Sequence, residues 1–93
     1  MFVGIIQVDL TVPEAADLKG KRRVIRGLKE RLRRQFHVDA AEVGILDNCR
    51  EATLGIALVS NEITHIQKRC QAVLDFIERQ PEAAVDDTQM EIL

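Results

Sequence analysis

The residues best equipped for chemistry are nine Lys and Arg side chains gathered between Leu18 and Phe36, in the stretch LKGKRRVIRGLKERLRRQF. One acid, Glu30, shares the segment, so it carries +8; four basic and fourteen acidic residues elsewhere give −10, and the chain totals −2. Clustered cations of this kind neutralise phosphates. Each Lys or Arg that meets a phosphate releases condensed counterions, which yields affinity for nucleic acid without sequence preference. The same charges can meet an acidic protein surface. Surface helices more often alternate acid and base one turn apart, and here only Glu30 can pair in that way.

Other chemistries lack their residues. Cys49 and Cys70 form no CxxC or metal-ligand spacing, and His37 and His65 have no second ligand at i+4, so neither metal nor cofactor is expected. Gly4, Gly20 and Gly27 make no phosphate loop, the carboxylates are scattered, and no Ser-His-Asp order stands out. The expectation is a protein that is not an enzyme. No apolar run approaches the length of about 20 residues that a membrane span needs. The opening MFVGIIQV is short for a signal peptide's apolar region and has no basic residues before it. With two cysteines expected to be free thiols, this predicts a cytoplasmic protein.

The elements that must position the basic segment follow from periodicity. In residues 2–12, Ile6, Val8, Leu10 and Val12 alternate with Gln7, Asp9 and Thr11, the period of a strand. Pro13 ends it, and Asp17 is placed to cap the helix that follows. At 100° per residue Leu18, Val24, Ile25, Leu28, Leu32 and Phe36 share one arc of about 120°, with Lys19, Arg22, Arg23, Arg26, Lys29, Arg33 and Arg34 opposite. Gly20 and Gly27 weaken this helix by roughly 1 kcal/mol each relative to Ala, so burial of the apolar arc must stabilise it.

Residues 38–46 read as a second strand, with a bulge expected at Ala40-Ala41 and a turn at Asp47-Asn48. Residues 52–60 read as a third strand, with Leu54, Ile56 and Leu58 on one face. Ser60 or Asn61 is expected to cap a second helix running to about Gln80, whose buried stripe is Ile63, Ile66, Cys70, Val73, Leu74 and Ile77. Pro81 stops it, and residues 83–93 form a last strand marked as an edge by Asp86 and Asp87. The order βαββαβ predicts one ferredoxin-like domain over residues 1–93, with two helices on one face of a four-stranded antiparallel sheet and the most apolar strands, the first and third, at its centre.

Three stretches, MFVGIIQVDL, DLKGKRRVIRGLKERLRRQFHVDAAEV and ATLGIALVSNE, resemble the YlxP-like family of small bacterial proteins of unknown function. The resemblance runs from Met1 to about Gln80 and is most specific in the L-K-x-K-R-x-V element, Leu18 to Val24, and in Ala52 to Ser60. It implies a ferredoxin-like fold. Members are commonly encoded beside translation and ribosome-maturation factors, which implies an RNA or ribosome connection. They often carry Trp where this chain has Cys49, and this sequence has neither Trp nor Tyr.

The residues and the resemblance together give the functional expectation: an RNA- or ribosome-associated binding protein, acting in translation or ribosome maturation, that contacts phosphates through Lys19, Arg22, Arg23, Arg26, Lys29, Arg33 and Arg34. The only aromatics are Phe2, Phe36 and Phe76, so the stacking platform of RNA-recognition sheets is not expected. The alternative is a protein-interaction or assembly module with no nucleic-acid role, in which the basic face meets an acidic partner. Val3, Ile5, Ala57 and Val59 on the sheet face away from the helices would then support a homodimer.

Overall fold

The computed structural model describes residues 1–93. Its elements are β1 (Phe2–Thr11), α1 (Leu18–Phe36), β2 (Asp39–Gly44), β3 (Glu51–Ser60), α2 (Ile63–Glu78) and β4 (Ala84–Ile92). The sheet order is β2-β3-β1-β4, with every pairing antiparallel. This is the ferredoxin-like arrangement.

The centre of the sheet is the ten-residue pairing of β1 with β3, from Phe2 opposite Ser60 to Thr11 opposite Glu51. That register sets Ile6 against Ile56 and Val8 against Leu54 on the helix side, because side chains alternate faces with a period of two. All four are buried, as are Leu28 and Leu32 from α1 and Ile66 and Val73 from α2. Phe36 and Phe76 meet edge to face at 5.3 Å where the helices converge. α2 rides so close to β1 that a Cβ on Gly4 would lie 2.7 Å from the Cys70 sulfur. Cys70 is fully buried and acts as a small core hydrophobe.

Details differ from the sequence reading where local chemistry outweighs pattern. The bulge in β2 falls between Glu42 and Gly44, not at Ala40-Ala41. Before it, regular alternation already places Glu42 with Ala40 on the helix side, and Val43 lies on the open face against Gly55. The N-cap of α2 is Glu62, which makes no side-chain cap; the Ser60 hydroxyl instead accepts from the Glu62 amide at 3.2 Å. Strands β2 and β4 are the two edges, and they carry five of the seven carboxylates in the sheet.

Leu28 is buried from every side, so Leu28→Ala should cost about 2–5 kcal/mol through lost transfer energy and a cavity. Urea unfolding with an unchanged m-value is the measurement that checks it.

Candidate nucleic-acid interface

α1 begins where Asp17 Oδ1 accepts a hydrogen bond from the Gly20 amide at 2.7 Å, and it ends at His37, a left-handed residue at φ 53° whose amide donates to the Arg33 carbonyl. These caps satisfy backbone groups the helix cannot pair itself. Arg33 and Arg34 in the last turn suit the helix dipole, but the first turn has no acid and carries Lys19 and Lys21. Cations there oppose the positive end of the dipole. Their presence therefore does not stem from the needs of the helix.

The nine cations separate into two groups. Three are engaged within the chain. Lys21 is buried, and its Nζ donates to the Ile45 carbonyl at 2.9 Å and the Glu51 carbonyl at 3.0 Å. The same ammonium lies 2.9 Å from Glu42 Oε2, off hydrogen-bond direction, so that contact is an ion pair of Coulombic character. Arg31 is clamped to Glu82 ahead of β4. Arg33 donates to the Ala40 carbonyl and lies 3.9 Å from Asp39.

Lys19, Arg22, Arg23, Arg26, Lys29 and Arg34 have no ion-pair or hydrogen-bond partner; Lys29 is half-buried and the other five are exposed. From Lys19 to Arg34 they cover about 22 Å of helix at 1.5 Å per residue. All seven expected interface residues therefore sit on one helix, and six present their charge outward; Arg33 is partly committed to β2.

Sequence reasoning missed Lys21. Its signal was present: at 100° per residue Lys21 lies about 20° from both Leu28 and Leu32, in the middle of the apolar arc. A cation at the centre of a buried stripe needs carbonyls and a carboxylate inside the fold, which β2, the β2–β3 turn and the start of β3 supply. Ile45 within that turn is a β-branched residue at φ 57°, a strained conformation that persists only when its surroundings hold it. Lys21 holds it by its carbonyl.

Residues 3–90 match the family model described as Protein of unknown function (DUF503). The chain belongs to that family. It is 32% identical over 81 residues to the Uncharacterized protein YlxP of Bacillus subtilis (strain 168), covering 87% of this chain and 88% of that protein. The match reaches into β4, beyond the Met1-to-Gln80 extent of the sequence resemblance, so the family unit includes all six elements. No helix is long and apolar enough to cross a membrane, and no group of three or more His, Cys, Asp or Glu side chains is disposed to hold a metal ion.

Lys21→Ala leaves the Glu42 carboxylate, 13% exposed, without its cation and should cost about 3–5 kcal/mol. The double change Lys21→Met with Glu42→Leu should recover most of that loss, as read by urea unfolding. For Cys70, burial raises the thiol pKa and the neighbouring Arg69 charge opposes this more weakly. The unfolded thiol therefore loses its proton first as pH rises. The stability linked to Cys70 is present below the ordinary thiol pKa of about 8.5 and is lost as pH climbs through the higher folded value. Cys70→Ala should flatten the alkaline decline in stability. A thiol reagent at neutral pH should label the half-buried Cys49 quickly and Cys70 only at the rate of unfolding.

Proposed function

We propose that this protein is a non-enzymatic, cytoplasmic RNA- or ribosome-associated binding protein that contacts phosphates through the outer face of α1. The observation that supports this reading is the set of six cationic side chains, on a capped and packed helix, that have no partner within their own chain. Concentrating them on one element costs self-repulsion, and the core does not require them. An anionic partner gives that cost a physical reason. Phe36 and Phe76 pack against each other and Phe2 against the core, so binding rests on backbone charge and shape rather than base stacking. A role in translation or ribosome maturation is the setting the family resemblance points to.

An assembly module in which α1 meets an acidic protein surface is the competing reading. The strands, whose only ionisable groups are carboxylates, support it, since one copy carries both a basic and an acidic surface.

Four phosphate contacts predict that log K for a structured RNA falls with log salt at a slope of roughly −3. Arg22→Glu with Arg26→Glu should nearly abolish binding in a filter or anisotropy assay while leaving thermal stability equal or higher, because neither side chain has an internal partner. No binding at low salt, or binding indifferent to the double change, rejects the phosphate reading and leaves the acidic-protein partner.

A further inference from the structure

The sheet face opposite the helices has a composition that phosphate binding does not use. No Lys, Arg or His occurs in any of the four strands; every ionisable group in the sheet is a carboxylate. The register directs Asp9, Asp87 and Glu91 onto the open face, with Asp39 at the far edge and Glu42 turned inward to Lys21. Asp9 and Asp87 stand directly opposite each other on neighbouring strands, an unfavourable pairing of like charges. Asp9 accepts from the Thr53 hydroxyl at 3.0 Å, and no cation lies beside Asp87.

Between these acids the face is apolar. Ile5 is 38%, Val43 56% and Val59 57% exposed. A shallow groove of about 430 Å³ runs over Gly55, bounded by Ile5, Ala41, Val43 and Ala57, with Asp39 and Gln7 at its rim. A Cβ at Gly55 would fall 2.9 Å from Val43, so the small residue keeps the floor of this groove open. A second groove on the other side of Ile5 is lined by Gln7, Gln89 and Glu91. Ile5 is thus an apolar ridge between two hollows, each with a carboxylate at its outer edge.

We propose that this face docks an extended basic segment of a partner protein, whose aliphatic side chain seats beside Ile5 over Gly55 while flanking Lys or Arg residues meet Asp39 on one side and Glu91 and Asp87 on the other. Charge complementarity selects the occupant. Asp39 on β2 and Glu91 on β4 are three strand spacings apart, about 14 Å, a span that an extended chain crosses in about four residues. RNA is excluded from this face by the carboxylates and by the lack of stacking aromatics. A face-to-face pair of copies would bring Asp9, Asp87 and Glu91 of both chains into one interface, and such like-charge juxtaposition opposes association. A head-to-tail contact with α1 of another copy would be heterologous and build a ring or an open chain, which the molar mass in light scattering reports. A basic partner suits both the apolar groove and its rim. The proposal is independent of the RNA reading, because it uses none of the six outer cations of α1; of its carboxylates only Asp39 lies near an α1 cation, Arg33 at 3.9 Å.

The test uses a fluorescein-labelled peptide of alternating Val and Thr flanked by paired Lys residues, with a Glu-flanked peptide and a Lys/Ser peptide as controls, followed by anisotropy at low salt. Saturable binding is expected for the Lys-flanked apolar peptide, with the Glu-flanked and Lys/Ser peptides weaker by about tenfold or more. Ile5→Lys, and separately Asp87→Lys with Glu91→Lys at the exposed edge, should each weaken it by a similar factor. Arg22→Glu with Arg26→Glu should leave it unchanged, which separates failure here from failure of the phosphate reading. Absence of saturable binding, equal binding of the Glu-flanked or the Lys/Ser peptide, or indifference to both sheet-face variants overturns the proposal. So does a molar mass in light scattering that rises with concentration and returns to monomer in both Ile5→Lys and Arg22→Glu with Arg26→Glu, since another copy would then be the occupant.

Discussion

The ammonium of Lys21 is the interaction on which the rest of this structure turns. It is fully enclosed, it reaches the carbonyls of Ile45 in the β2–β3 turn and Glu51 at the start of β3, and it faces the carboxylate of Glu42, which strand alternation in β2 points inward. A buried cation is tolerable only where its protons and its charge are met, so the position of α1 and the course of the chain from Glu42 to Glu51 are specified together. The Val12 amide donating to the Arg50 carbonyl at 2.6 Å ties the same turn to the end of β1. Three elements thereby share one polar knot at the N-terminal end of α1. Hydrophobic packing of Ile25, Leu28 and Leu32 alone would permit the helix to slide or rotate by a fraction of a turn. The knot removes that freedom and so sets the direction in which the outer cations point.

That rigidity matters because the charges are divided by layer. Strands contribute only acids, α1 contributes most of the bases, and the hydrophobic core lies between them. Such a molecule has a small net charge but a large separation of charge, and its field orients it before contact. An anionic surface draws the α1 side and repels the sheet side; a cationic surface does the reverse. A net charge of −2 is therefore a poor guide to what this protein binds, since opposing patches cancel in the sum and act separately in space.

Much of this was legible in the sequence, and the reasons are specific. The alternation in β1 and β3 and the arc on α1 are long, regular signals, and the βαββαβ order leaves few topologies that bury both central strands. Local chemistry was harder to read. Ser60 carries a good capping side chain, yet Glu62 occupies the cap, because β3 runs on through Ser60 to pair with Phe2. The inward Glu42 is matched by Lys21, 21 positions away in the chain, and no short window along the sequence contains both. Within α1 the cations looked equivalent, whereas Arg31, at one border of the apolar arc, finds Glu82, and Arg33, on the outer side, finds the Ala40 carbonyl across the fold. Partners of that kind appear only when neighbouring elements are in place.

The division of the nine cations also decides how the two faces relate. If all nine were anchored to internal acids, the chain would be a self-neutralising fold and its net charge would describe it. Three are anchored, and what they hold is the β2–β3 turn, the start of β4 and the edge of β2. Those are the segments that frame the open sheet face. The internal pairs of α1 therefore fix the shape of the acidic side, while the unpaired ones form the basic side. A partner that engages only the outer cations leaves these anchors intact, so the two surfaces can be occupied at once without rearrangement. An acidic surface that competed for Arg33 would instead pull on the Ala40 carbonyl and loosen the β2 edge that frames the apolar groove. Phosphates reached by Lys19, Arg22, Arg23 and Arg26 impose no such strain, and for that reason a backbone-reading partner on α1 is compatible with a basic protein on the sheet.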